Sequence, residues 1–141
     1  MFAVIRLRGT VKAKQDAVDN LKLLRLNRKM HCVLIPNNDS YNGMLQKARD
    51  YVTFGEISDD VLLQLITKRG RKNGDIKLSD KEVAAVITEL KAKGKVPKGI
   101  RPVFRLNPPS KGFKNGIKHH FPKGELGGRG EKINELLLRM I

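Results

Sequence analysis

The adjacent pair His119-His120 is the part of this sequence best equipped to bind a metal or move a proton. Its spacing argues against both. Neighbouring side chains in an extended segment point to opposite sides, whereas a metal-binding pair on a helix is spaced i, i+4. The nearest carboxylate is Glu125 and no cysteine is close, so a third ligand is missing. Asp59-Asp60 follows Ser58 and reads as the acidic first turn of a helix, not as a catalytic carboxylate pair. Cys32, the single cysteine, excludes an internal disulfide and a cysteine-rich zinc cluster, and within the apolar run 30–35 it reads as a small buried hydrophobe. His31 alternates with Val33 and Ile35 and reads as a structural side chain. Gly127-Gly128-Arg129-Gly130, directly before an apolar helical pattern, is spaced like an anion-binding nest. A G-x-x-x-x-G-K-[ST] loop for a nucleotide is absent.

What remains is cationic chemistry. The 141 residues carry 29 Lys+Arg against 14 Asp+Glu, a formal charge of +15. Solubility is usually met by a magnitude of roughly 2 to 8 on a small domain, so the excess calls for a polyanion, and nucleic acid is the obvious one. The charge is also segregated. Between Glu89 and Glu125 lie 35 residues with ten Lys or Arg and no acid. A solvated face mixes both signs, whereas a segment threading between phosphates avoids acids and releases counterions as it binds. Phe113 and Phe121 interrupt this run, either to stack on unpaired bases or to anchor it to the protein body. With no Trp and 5% aromatic residues, recognition leans on phosphate and shape. No apolar run approaches the ~20 residues needed to span a bilayer, and the short stretch 2–7 is interrupted by Arg6, unlike a signal peptide. A cytoplasmic protein is expected.

These residues need a frame. Residues 2–8 alternate as a strand, with Ala3, Ile5 and Leu7 on one face and Phe2, Val4, Arg6 and Arg8 on the other, which places arginine on an open face. Residues 16–26 put Ala17, Leu21 and Leu24 on one helical stripe, with Lys22, Arg25 and Lys29 spaced similarly elsewhere around it. A strand over 30–35 ends at Pro36, and Asn37 to Ser40 form a turn able to cap a helix over 41–50. Gly43 inside that helix costs about 1 kcal/mol against alanine and suggests close approach of another backbone. A third strand covers 51–57.

Two helices follow, one carrying Val61, Leu62, Leu65 and Ile66, the other opened by the capping box Ser79-Asp80-Lys81-Glu82 and ended by Gly94. Between them runs the cationic loop Lys68-Arg69-Gly70-Arg71-Lys72-Asn73-Gly74. Residues 107–130 are rich in glycine, hold Pro108, Pro109 and Pro122, and show no apolar periodicity, so they are expected to lack a core and to be mobile until bound. Residues 131–141 regain order, with Ile133, Leu136, Leu137 and Met140 at docking-helix spacing. The expected organisation is a strand-helix-strand-helix-strand core over 1–57, a helical insertion and return strand over 58–106, a basic extended segment over 107–130 and a docking helix over 131–141.

Several of these stretches resemble a known family. Phe2-Ala3-Val4-Ile5-Arg6-Leu7-Arg8, the region 24–27 and Gly43-Met44-Leu45 are similar to the core of large-subunit ribosomal protein L-thirty, a family shared with eukaryotic L-seven. Phe104-Arg105-Leu106-Asn107-Pro108-Pro109 with Gly112-Phe113, and Gly130-Glu131-Lys132-Ile133-Asn134 with Arg139-Met140, look like its archaeal and eukaryotic branch. The chain lacks the long lysine-rich arm of the eukaryotic proteins and extends past the third strand where bacterial ones end, which points to the archaeal type. The resemblance implies an α+β fold: a small three-stranded antiparallel sheet, ordered three, one, two, with helices on one face, ferredoxin-like, plus a helical and extended basic C-terminal addition. It implies binding to large-subunit rRNA beside neighbouring ribosomal proteins on the cytoplasmic ribosome. It implies no cofactor, no small-molecule substrate, no turnover, no membrane and no dedicated homo-oligomer.

The expected RNA contacts are Arg6, Arg8, Lys22, Arg25, Arg28 and Lys29 in the core. In the loops they are Lys68, Arg69, Arg71, Lys72, Arg101, Arg105, Lys111, Lys114, Lys118, His119, His120, Lys123 and Arg129. Two rivals stand beside a resident ribosomal role: a transient assembly factor or RNA chaperone, and an RNA-processing enzyme using His119 or His120.

Overall fold

The computed structural model describes residues 1–141. Three strands form the centre: β1 (Phe2–Arg6), β2 (His31–Ile35) and β3 (Val52–Glu56). Both β2 and β3 run antiparallel to β1, pairing Val4 with Val33 on one side and with Phe54 on the other. The order three, one, two is therefore present, but it is only the middle of a six-stranded mixed sheet. Antiparallel β4 (Val103–Arg105) extends it beyond β2, while β6 (Gly124–Gly128), parallel to β3, and then β5 (Gly116–His120) extend it on the other side. The small three-stranded, ferredoxin-like sheet implied by the resemblance is corrected accordingly.

Helices cover both faces, not one. On one face α1 (Gln15–Leu23) and α2 (Asp39–Ala48) bury Leu21 and Leu45 against Val4, Val33 and Val52. On the other, α3 (Asp59–Arg69), α4 (Asp80–Lys93) and α5 (Ile133–Met140) bury Leu65, Leu90 and Leu137 against Ala3, Ile5 and Cys32. The strand alternation read from residues 2–8 thus separates two cores. The expected open face does not exist, because α1 and α2 lie over Val4. Burial pushes the Cys32 thiol up to about 12, which leaves it a neutral core side chain. No helix is long and apolar enough to cross a membrane.

The helix ends follow their local chemistry. Leu24 closes α1, Arg25 takes a left-handed φ of 62°, and Leu26 N–H donates to Leu21 O at 2.8 Å, the paired return bond of a Schellman end. Asn38 caps α2 by accepting from Tyr41 N–H at 2.9 Å. The capping box at Ser79 is formed, and Glu82 is also hydrogen-bonded to Lys72, which holds its carboxyl at about 2. At Gly94 the φ of 67° ends α4.

Gly43 has nothing within 4 Å of an added Cβ, so the expected close approach is corrected: its helix face is open. Gly43→Ala should therefore stabilise the protein by about 0.5–1 kcal/mol, read as a raised urea midpoint. A lowered midpoint would show that the site is constrained.

Residues 107–130 do contribute to the core. Leu126 is fully buried, and Thr53 pairs with Gly127 and Phe54 with Gly128 across β3 and β6. Apolar periodicity missed this strand because its packing uses backbone. An added Cβ at Gly128 would meet the Phe54 ring at 3.2 Å, and one at Gly55 would run into the carbonyl of Gly130.

Candidate nucleic-acid interface

Two expected contacts point inward. Arg6 is 6% exposed, and its guanidinium donates to Leu26 O at 2.8 Å, Arg8 O at 2.9 Å and Thr10 Oγ1 at 3.3 Å. Its role in the structure is to fasten the end of β1 to the loops around α1. Arg129 is equally enclosed. It forms a buried ion pair with Glu125 and donates from Nε to Thr53 Oγ1 at 2.9 Å. The anion nest expected at Gly127-Gly128-Arg129-Gly130 is corrected for the same reason: Gly127 and Gly128 belong to β6, and the Arg129 N–H donates to Phe54 O. The Arg129 N–H is thus committed to the sheet, and its guanidinium to Glu125 and Thr53.

Other cations are brought together from distant parts of the chain. Arg69 in the last turn of α3, Arg71 after it, Arg101 before β4 and Arg105 in β4 line one recess of about 230 Å³ with Asp75 and Val103. Beside it, His31 in β2 stands opposite Arg105. Partial burial first, then the charges of Arg105, Arg28 and Arg6, hold the His31 imidazole below its ordinary value of 6.5.

The unfolded chain then binds the proton more readily than the folded one. The stability contributed by neutral His31 is present above about 6.5 and is lost as pH falls through the window below it. Urea midpoints at pH 7.5 and 5.5 should fall more for the parent than for His31→Gln. Identical falls would remove His31 from the account.

A second group forms around Asp50. His120 Nε2 lies 2.7 Å from its carboxylate, Arg8 donates to its carbonyl at 3.4 Å, and Arg8 also sits 5.8 Å from the Tyr51 ring centroid. His119 is exposed, and no three metal-ligating side chains cluster anywhere. Lys114 shares a recess with Phe121, Lys132 and Arg139. Phe121 is half-buried with Arg129 5.4 Å and Lys132 6.0 Å from its ring centroid, and Phe113 packs on the larger core, so both aromatics anchor the segment to the body.

Lys22, Arg25, Arg28 and Lys29 are exposed on α1 and the turn after it. Lys111, Lys118 and Lys123 are exposed on and around β5, as is Lys68 at the end of α3. Lys72 faces Glu82 instead of the arginine recess.

A family model described as "Ribosomal protein L30p/L7e" matches residues 2–52. Over 99% of both chains, the protein is 47% identical to one from Archaeoglobus fulgidus named "Large ribosomal subunit protein uL30". The chain belongs to the L30p/L7e family. Proteins of the same name from Nanoarchaeum equitans and Methanococcus maripaludis are each 46% identical, over 99% or more of both chains. The archaeal form of the L30p/L7e family suggested by residues 104–113 and 130–140 is the one that these relatives represent.

The L30p/L7e match over residues 2–52 covers β1 and β2, α1 and α2, but the arginine recess lies outside it, on α3, the loop after it and β4. His31 is the structural side chain that its alternation with Val33 and Ile35 suggests, and Arg28, three residues before it, adds to the charge around it. Two further basic residues, Lys132 and Arg139, lie at the site without a signal in charge spacing. Lys132 and Arg139 flank the apolar stripe of α5, a position from which they reach Phe121 and the carbonyls of Ser110 and Gly112.

Proposed function

We propose that this chain is a structural constituent of the large ribosomal subunit, located in the cytoplasmic ribosome, that binds and stabilises rRNA without catalysing a reaction. The observation that carries this reading is the similarity over nearly the whole chain to archaeal proteins named as large ribosomal subunit proteins. The net charge of +15, the exposed cations on α1 and around β5, and the partly exposed arginines of the recess supply the chemistry, with phosphate contacts fixing position. Neighbouring ribosomal proteins are the other expected partners. Arg8, Lys22, Arg25, Arg28, Lys29, Lys68, Lys111, Lys114, Lys118, His119, His120 and Lys123 are the proposed contacts outside the recess.

Sedimentation separates residence from a transient assembly role. The protein should remain with mature large subunits through a moderate salt wash, whereas recovery on precursor particles alone would favour a visitor. Binding of the isolated protein to deproteinised large-subunit rRNA should weaken linearly in log–log terms as salt rises. An affinity unchanged between low and high salt would overturn the phosphate-led reading.

A further inference from the structure

We propose that Arg69, Arg71, Arg101 and Arg105 converge on a single phosphate group of an RNA backbone, held in the recess beside β4. This deepens the rRNA-binding reading and rests on it. The four side chains come from segments the fold deliberately joins: Arg101 N–H donates to Arg71 O at 2.9 Å, Arg71 bridges Lys77, and Lys72 bridges Ile100. Their recess lies at the edge of the sheet, because β4 pairs only with β2.

Charge balance inside the recess is incomplete. Asp75 is its single carboxylate, 2.7 Å from Arg101 and 3.9 Å from Arg105. Four guanidinium groups against one carboxylate leave three positive charges in a concave space. The negative end of α3 explains a preference for Lys68 and Arg69, but not the arrival of Arg101 and Arg105 from the other side. A bound anion explains all four.

The arrangement is also preorganised. Arg71 donates from one terminal nitrogen to Lys68 O at 3.1 Å and Gly70 O at 2.9 Å, which fixes the guanidinium and leaves its Nε and other terminal nitrogen free. Arg101 is oriented by Asp75. Guanidinium forks match phosphate oxygens in pairs, and groups fixed beforehand lose less entropy on binding. Val103 is the only apolar residue in the lining and no aromatic ring enters it. The recess therefore selects a phosphate by its charge and shape, without reading sequence.

Two measurements test this on the full chain. Inorganic phosphate, titrated while the Arg Nε–H resonances are followed by NMR, should shift those of Arg69, Arg71, Arg101 and Arg105 saturably. Non-saturating shifts spread over all arginines would overturn the site. The second is a double-mutant cycle with Arg69→Gln and Arg105→Gln, whose side chains make no hydrogen bond within the chain beyond the loose 3.9 Å ion pair of Arg105 with Asp75, measured on deproteinised large-subunit rRNA, with Lys47→Gln on α2 as reference.

Each single variant should lose about tenfold in affinity. Because both arginines act on one phosphate, the double variant should lose far less than the product of the singles, and the salt slope should fall by about one. A loss equal to the product with a slope change near two, or single losses no larger than that of Lys47→Gln, would overturn the shared phosphate. If the parent failed to bind rRNA at all, the wider reading would fall, and the phosphate titration would still decide the recess.

Discussion

Arg129→Ala is expected to lower the folding stability of the isolated protein by about 3–5 kcal/mol, the range for removing one partner of a buried ion pair. The side chains of Arg129 and Glu125 are only 6% and 5% exposed. Truncation strands the Glu125 carboxylate, which then keeps only Asn115 N–H at 3.1 Å, and it removes the donor to Thr53 Oγ1. The double change Glu125→Gln, Arg129→Met should recover most of the loss, since it takes away the charge and keeps an acceptor for Asn115. Urea denaturation of the two variants checks this. A double variant as unstable as Arg129→Ala would mean that the arginine acts mainly through Thr53 and not through the ion pair.

Phe104→Ala should be comparably severe, roughly 3–5 kcal/mol. Phe104 is the largest of the fully buried side chains, at 1% exposure, and it sits in a strand of only three residues. Its ring packs in the core cluster shared with Leu65 and Leu90, while its backbone aligns with Cys32. Arg105→Ala, one position along and 66% exposed, should change stability by less than about 0.5 kcal/mol. Equal losses at the two positions would show that the strand is held by something other than the ring. Because β4 also carries Arg105 and follows Arg101, Phe104→Ala should weaken the arginine recess even at temperatures where the rest of the fold survives.

The helices were legible wherever apolar spacing met a single buried face. Val61, Leu62, Leu65 and Ile66 in α3, and Ile133, Leu136, Leu137 and Met140 in α5, are all buried as their spacing predicts. The antiparallel order of β3, β1 and β2 was not in the periodicity and came only from the family resemblance. The strand at Gly124–Gly128 was invisible because three of its five residues have no side chain to alternate.

For the site, cation content was legible but direction was not. A long arginine side chain turns toward whichever acceptors the fold offers, and the carbonyl of Leu26 captures Arg6 from 20 residues away. One cue existed for Arg129: Glu125, the first acid after a 35-residue gap, stands four positions before it. The pairing of His120 with Asp50 joins residues 70 apart and leaves no local trace. The convergence at the recess likewise depends on β4 returning to β2 beside the end of α3.

Parallel pairing of β3 with β6 joins residues 74 apart, as in the bond from Thr53 Oγ1 to Gly127 O. During synthesis at about 5–20 residues per second, roughly 4–15 s separate the emergence of those partners. In that interval the antiparallel unit of β1, β2 and β3 can assemble under α1 and α2, yet one edge of β3 still presents unpaired N–H and C=O groups. An open edge of that kind is a template for pairing with the wrong chain. Residues 124–140 close it and cap the second core, so the nascent protein is most vulnerable just before its last strand and helix arrive.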